Sequence, residues 1–250
     1  MSARPLRLGR AALALALAAF ALGAAGCEST QRKSARLEAE GADLVKAKKV
    51  DLGKRNDRIE VVEKAVLSDR NGSAVAVVLR NRSKEGLSDA TIGIDVKGRG
   101  GRSVYRNDLA GLEFSLTHVP VVKGGAEVFW VNDQVLATAE PRSVEVKVGA
   151  AKGLPAVPEI EVSKPRLTRD PASGIEATGT VVNRSGIEQT DLVLHAIARR
   201  GGRIVAAGRG MVAKLKADGK PATFHIFFIG NPSGAEVSVI APPVDLREGS

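Results

Sequence analysis

The chain is predicted to be all-β, with two tandem antiparallel β-sandwich domains behind an N-terminal segment of different character. Segments of alternating apolar residues recur, with turn signals between them about every 8–12 residues. Short motifs in the first half recur in the second half about 100 residues later. The composition, 44% hydrophobic and 26% charged, is typical of a folded chain. Only 3% of the 250 residues are aromatic, so the core must consist mainly of Val, Ile, Leu and Ala.

Residues 1–26 have the order of a secretory signal peptide. A short basic start containing Arg4, Arg7 and Arg10 precedes the uninterrupted apolar run 11–25. Small residues follow the run, as they do before a cleavage site. A membrane-spanning helix needs roughly 20 apolar residues, more than this run offers. The alternative is an uncleaved N-terminal anchor helix.

Cys27 is the only cysteine, so it has no partner for an internal disulfide, and a free thiol outside the cell would be reactive. Residues 22–27 (LGAAGC) resemble the lipobox of bacterial lipoproteins, although Ala24 stands where that family prefers leucine. The resemblance implies cleavage before Cys27 and a diacylglyceryl group, with further acylation such as palmitate, on the mature N-terminus. We therefore expect lipidated Cys27 to hold the chain in the lipid bilayer, on the extracytoplasmic face of the cell membrane. Ordinary cleavage near Gly26 and secretion is the alternative.

Residues 27–57 are polar and mixed in charge, and are predicted to be a lipid-anchored tether. A weak apolar stripe of Leu37, Leu44 and Val45 is interrupted by Gly41, which is consistent with a short helical or disordered spacer. The alternative is a partner-binding helix.

The two domains are expected to be copies of one fold. Asn81-Arg82-Ser83 recurs as Asn183-Arg184-Ser185, and the Gly-Gly-Arg turn at residues 100–102 recurs at 201–203. We call residues 58–148 copy one and residues 158–248 copy two, joined by a Gly- and Pro-containing linker at 149–157. Strands of this length and spacing favour immunoglobulin-like sandwiches. No pair of cysteines joins the sheets, and about 90 residues per domain suffice for an apolar core.

The copies resemble the small immunoglobulin-like domains of bacterial lipoproteins of the FxLYD type. Residues 175–229 match that pattern of strand, Asn-x-Ser turn, strand and Gly-Gly turn, and residues 73–131 match it more loosely. The aromatic motif that names the type is absent, since His195-Ala196-Ile197 stands in its place. The whole organisation is also similar to that of uncharacterised actinobacterial lipoproteins. These resemblances imply a fold and a location, but no activity.

The remaining chemistry is sparse. The net charge of +9 is diffuse, which favours an anionic surface but, without a basic stripe interleaved with aromatics, no nucleic acid. Of the three histidines, His195 and His225 lie in predicted strands, where solvent-facing or edge positions are expected. No zinc spacing, nucleophile motif or phosphate-binding loop is present. We therefore expect no enzyme activity, no cofactor and no metal.

One region of copy one departs from the repeat and holds the only Tyr and the only Trp. Loops on a rigid sandwich often bind partners, and exposed aromatics often mark interfaces. The candidate interaction surface comprises Tyr105, Arg106, Asn107, Asp108, His118, Trp130, Asn132 and Asp133. The alternative places Trp130 in the core and the Asn-Asp pairs in turns. The expected function is a non-enzymatic binding module of the cell envelope that contacts an unknown envelope protein or wall polymer. An accessory scaffold subunit of an envelope complex is the alternative.

Overall fold

The computed structural model describes residues 50–109, 111–170 and 174–246. The predicted all-β class is confirmed, because these ranges contain antiparallel sheets and no α-helix. Within them, no helix is long and apolar enough to cross a membrane. The predicted signal peptide, Cys27 and most of the predicted tether lie outside the described residues.

Copy one contributes seven strands, and an eighth follows in the linker. Their bounds are β1 Ile59–Asp69, β2 Gly72–Asn81, β3 Gly86–Lys97, β4 Ser103–Arg106, β5 His118–Val122, β6 Glu127–Asn132, β7 Ser143–Val148 and β8 Lys152–Leu154. Two single 3₁₀ turns, Arg99–Gly101 and Phe114–Leu116, lie between strands of this half.

Copy two contributes the other eight strands. Their bounds are β9 Ile160–Val162, β10 Arg166–Asp170, β11 Gly174–Asn183, β12 Gln189–Arg200, β13 Arg203–Leu215, β14 Pro221–Phe227, β15 Ile229–Gly230 and β16 Glu236–Ile240.

The strands form four sheets, which we number in the order in which they stack. In sheet 1, β3 pairs with β4, β5, β7 and β8, while sheet 2 has the order β1-β2-β6. Sheet 3 has the order β15-β13-β12-β16. In sheet 4, β10, β11 and β14 are adjacent, and β9 also pairs with β11. Every pairing in these sheets is antiparallel.

Three apolar clusters hold the four layers together. The first lies between sheets 1 and 2 and includes Leu79, Ile92 and Trp130. The second lies between sheets 3 and 4, around Leu194 and Phe224. The third joins the copies: Ala76, Val78 and Val131 of sheet 2 pack with Ile197, Ile204 and Ala207 of sheet 3. Both faces of sheet 2 and both faces of sheet 3 are therefore covered, which explains why residues 74–79 are all apolar and all buried.

The repeated Asn-Arg-Ser motif has the same geometry in both copies. The Asn81 Oδ1 accepts hydrogen bonds from the Ser83 backbone N–H (2.9 Å) and hydroxyl (2.7 Å), and Asn183 accepts the same two from Ser185 at the same distances. Arg82 pairs with Glu60, and its counterpart Arg184 pairs with Glu161. The triplets close the turns after β2 and β11, so their side chains serve the backbone.

The copies differ where copy one carries an insertion. In copy two, β13 runs unbroken beside β12, with one register shift at Ala198/Arg199. In copy one the corresponding strand is split into β4 and β5 by residues 107–117. On the edge of β3 that faces this gap, backbone groups of Ile92 and Ile94 are bonded by the side chain of Asn107.

Residues 50–57, which we call the strap, lie against sheet 1. The Leu52 carbonyl accepts hydrogen bonds from the Ala150 N–H (3.2 Å) and the Thr91 hydroxyl (3.3 Å), and the Asn56 N–H donates to the Val148 carbonyl (2.9 Å). Leu52 also fills the notch at Gly93, where an added Cβ would lie 2.6 Å from its Cδ1. Packing thus begins ahead of residue 58, where copy one was predicted to start.

The expectation of a solvent-facing or edge position was wrong for His195, which is 1% exposed. Its position on β12 points out of copy two, but sheet 2 of copy one covers that face. His225 does lie on an exposed strand position, with 59% of its side chain accessible.

Candidate functional site

The eight candidate residues separate into buried, interfacial and surface positions. Trp130, on β6, is fully buried in the core of copy one, and its indole N–H donates to the Ser115 carbonyl (2.8 Å). That bond ties the 3₁₀ turn at Phe114–Leu116 to the sandwich. In the folded chain Trp130 therefore supports the insertion from beneath and presents no surface to a partner.

Asn107, the first residue of the insertion, is 1% exposed and replaces backbone pairing along β3. Its Oδ1 accepts from the Ile94 N–H (2.7 Å), and its Nδ2 donates to the carbonyls of Ile92 (2.9 Å) and Leu116 (2.7 Å). Three of the four hydrogen bonds that an amide side chain can make are formed. An amide side chain suits this position because of the split strand. On the β3 edge that faces the gap, the Ile94 N–H needs an acceptor and the Ile92 carbonyl needs a donor.

Tyr105 and Asn132 form a second buried polar pair in copy one. The Asn132 Nδ2 donates to the Tyr105 hydroxyl (3.1 Å), and the Asn132 Oδ1 accepts from the Gln134 N–H (2.9 Å). Burial raises the pKa of Tyr105, which keeps the phenol neutral. The pair fixes β4 beside the end of β6.

Asp133 lies at the junction of the copies and binds Arg209 of β13. The Arg209 Nε and backbone N–H donate to its carboxylate at 2.7 and 3.2 Å, and the Arg209 Nη1 donates to the Ser115 hydroxyl (2.9 Å). Only 8% of the Arg209 side chain is exposed. One arginine of copy two thus contacts two separate loops of copy one.

A second group at the junction lies between β6 and β12. The Val131 N–H donates to the Nδ1 of His195 (3.1 Å), so the imidazole accepts there and carries its proton on Nε2. Burial and the nearby Arg209 charge lower the pKa of His195 to about 3. Arg199 of the same strand pairs with Glu63 of β1 (2.7 Å).

Arg106 and Asp108 lie at the surface, beside a cavity of about 200 Å³ between the strap and sheet 1. The cavity walls combine apolar Val50 and Leu52 with five charged side chains. These are Asp95, Arg106, Asp108, Glu145 and Lys147. Burial pushes the pKa of Asp95 upward, but hydrogen bonds from Lys97, Ser103 and Arg106 outweigh it and hold that pKa below its usual value. The charges of the wall largely neutralise one another.

His118 begins β5 and stacks on Phe114, with ring centroids 4.0 Å apart and planes 7° from parallel. Its Nδ1 shares a hydrogen bond with the Thr117 hydroxyl (2.9 Å), and burial lowers its pKa. Phe114 is 50% exposed, so the stacked pair presents an aromatic edge at the insertion.

Sequence reasoning missed the junction residues His195 and Arg209, as well as Phe114. Alternation along a strand does not show which second sheet covers its outer face. One signal was available: an unbroken apolar run such as residues 74–79 is typical of a strand buried on both faces. The described part of the chain contains no group of three His, Cys, Asp or Glu side chains placed to hold a metal ion.

No protein-family model matches the chain. The curated proteins likewise contain no match to its sequence.

Proposed function

We propose that this chain is a lipid-anchored lipoprotein on the extracytoplasmic face of a bacterial membrane, where it acts as a non-enzymatic binding module. The proposal combines the lipobox-like segment ending at Cys27 with two FxLYD-like, immunoglobulin-like domains. The chain would be attached to the bilayer by acyl chains and would present its sandwich surfaces to an envelope protein or wall polymer.

The observation that carries the binding role is that most candidate residues of copy one form hydrogen bonds within the fold, which leaves sheet faces and outer loops as the surfaces for a partner. Asn107, Asn132 and Trp130 form hydrogen bonds inside the fold, and Asp133 is held by Arg209. These groups therefore support loops and sheet faces. What the described chain offers to a partner is exposed sheet faces and the surface around Arg106 and the Phe114–His118 pair.

A scaffold role in an envelope complex is favoured by a different observation, the fixed junction between the copies. An apolar cluster, the half-buried Arg209–Asp133 pair and the Arg199–Glu63 pair all cross it. A junction fixed in this way would hold two surfaces at a constant separation, as a scaffold requires.

Co-purification from detergent-solubilised membranes tests the proposal and separates the two roles. We expect the full chain in the membrane fraction, and a Cys27→Ser variant in soluble fractions, with Ser29→Ala as the matched control that stays with membranes. A weak, cross-linkable envelope contact supports the binding module, and a stoichiometric partner that persists supports the scaffold. Recovery of the wild-type chain in the cytosol would contradict both.

A further inference from the structure

The junction uses the outer face of sheet 2 in copy one and the outer face of sheet 3 in copy two. The outer faces of sheets 1 and 4 therefore pack on no other sheet of the described chain. By position in the repeat, sheet 2 corresponds to sheet 4, and sheet 1 corresponds to sheet 3. A contact between unlike faces can continue indefinitely, because each added copy again offers both faces.

The strap covers part of the free outer face of sheet 1. Leu52 occupies the notch at Gly93, which is the copy-one counterpart of His195, the residue that contacts Val131 across the junction. A second chain would have to displace the strap in order to dock there. Sheet 2 packs on the open outer face of sheet 3. Its counterpart, sheet 4, would need the outer face of sheet 1 in a second chain, and the strap covers part of that face.

The outer face of sheet 4 has also lost the apolar residues that form the junction in copy one. The cross-strand pair Ala76–Val131 of sheet 2 corresponds to Thr178–His225 of sheet 4. Likewise Val78–Phe129 corresponds to Thr180–Thr223, and Leu67–Ala74 corresponds to Thr168–Glu176. Each apolar pair has become a polar pair on the same backbone framework.

The resulting face is rich in hydroxyl groups, and it carries one exposed phenyl ring. Four threonines lie on three neighbouring strands, and each hydroxyl can donate one hydrogen bond and accept two. Phe227 is 47% exposed and lies opposite Glu176, whose carboxylate bonds the His225 Nδ1 (3.1 Å). Arg166 lies opposite Thr178 on the same face, so its formal positive charge offsets the negative charge of Glu176. The face therefore suits an uncharged partner with many hydroxyls and some apolar C–H surface.

The face also lies at the far end of the stack from the strap. Sheets pack about 10 Å apart, so sheet 4 is about 30 Å from sheet 1, where the chain arriving from Cys27 meets the fold.

We propose that the outer face of sheet 4 binds an uncharged, extended β-linked polysaccharide of the cell envelope, lying flat across β10, β11 and β14. This inference rests on the proposed binding function and names its partner class. Threonine hydroxyls would bond the sugar hydroxyls, and the Phe227 ring would cover an apolar face of one sugar. The polar pairs also explain why no further copy stacks on this face. Terminal repeats of repeat proteins end in a polar outer face in the same way.

Co-sedimentation of the detergent-solubilised full chain with insoluble chitin and with cellulose tests the proposal. We expect the wild-type chain to pellet with at least one of these polymers. Phe227→Ala and the double variant Thr178→Val/Thr180→Val should each weaken binding about tenfold or more, as the loss of a central contact does. Leu136→Ala, which removes an apolar side chain that is 84% exposed from copy one, is the matched control and should bind like the wild type. Because Val keeps the β-branched shape of Thr, the double variant should fold even if Phe227→Ala does not.

Absence of sedimentation with both polymers would overturn the inference, as would equal binding by all variants. A photo-crosslinker at position 180 that captures only protein would also overturn it. In each of those cases the proposed function stands if the chain is still membrane-bound through Cys27. Conversely, sedimentation by a chain found only in the cytosol would contradict the proposed function and not the glycan-binding face.

Discussion

At the scale of single residues, His195 shows how the junction between the copies depends on a neutral side chain. The imidazole is fully buried, accepts a hydrogen bond from Val131, and lies near the positive charge of Arg209. Protonation of Nδ1 would set two N–H donors against each other and add a second buried positive charge. The charged form is therefore disfavoured in the folded chain and is free to form in the unfolded chain.

Acid should destabilise the fold through His195. Its pKa falls from the usual 6.5 to about 3 on folding, so the unfolded chain binds the extra proton between these pH values. The stabilising contribution is complete above pH 6.5 and is lost as the pH falls toward 3, at up to about 1.4 kcal/mol per pH unit. Urea unfolding at several pH values should show this slope in the wild type and a shallower slope in His195→Gln. Equal slopes in the two proteins would mean that His195 does not titrate on unfolding.

At the scale of elements, the sequence predicts the strands well because alternation and turn chemistry are local. The turns at Asn81 and Asn183 lie where the motifs predict them. So do the glycine turns at residues 100–101 and 201–202, in which all four glycines have positive φ. The outer contacts of each strand depend on a second sheet that is distant in sequence. For that reason the burial of His195, the role of Arg209 and the position of the strap were not predicted.

The candidate interaction surface was likewise only partly predictable from the sequence. The sequence singled out the insertion in copy one correctly as a departure from the repeat. It gave no means to distinguish polar residues that close a split strand, such as Asn107, from polar residues at the surface, such as Arg106. That distinction depends on which backbone groups remain unpaired, and the split of the long strand into β4 and β5 determines this.

The strap is an element whose attachment can be tested through one glycine. A Cβ at Gly149 would lie 1.7 Å from the Leu52 carbonyl oxygen and 2.2 Å from the Thr91 hydroxyl. Gly149→Ala should therefore release the strap and speed tryptic cleavage after Lys54 and Arg55. Limited trypsin digestion followed by mass spectrometry measures the rate.

The neighbouring Gly153 provides the matched control for that experiment. A Cβ there would meet only the Glu85 carboxylate, at 3.9 Å, which is ordinary contact. Gly153→Ala should leave the cleavage rate at the wild-type value. If Gly149→Ala is cleaved as slowly as Gly153→Ala, the strap does not depend on the close approach at Gly149.

At the scale of the whole molecule, residues 50–246 form part of one compact unit, built as a stack of four sheets. The stack begins where the strap meets sheet 1 and ends at the threonine-rich face of sheet 4. The buried junction makes the two copies one body, so a contact at sheet 4 is held at a fixed place relative to the strap. The proposed binding role then depends on attachment of the chain to the membrane through Cys27.

The intact mass of the mature protein, extracted with detergent from membranes of its own host, tests that attachment most directly. A lipid anchor at Cys27 predicts a chain that begins at this residue and carries the added mass of a diacylglyceryl group. It also predicts that Cys27→Ser yields no lipid-modified form. A mature chain that retains residues 1–26, or one that begins near Cys27 without lipid, would contradict the proposed anchor.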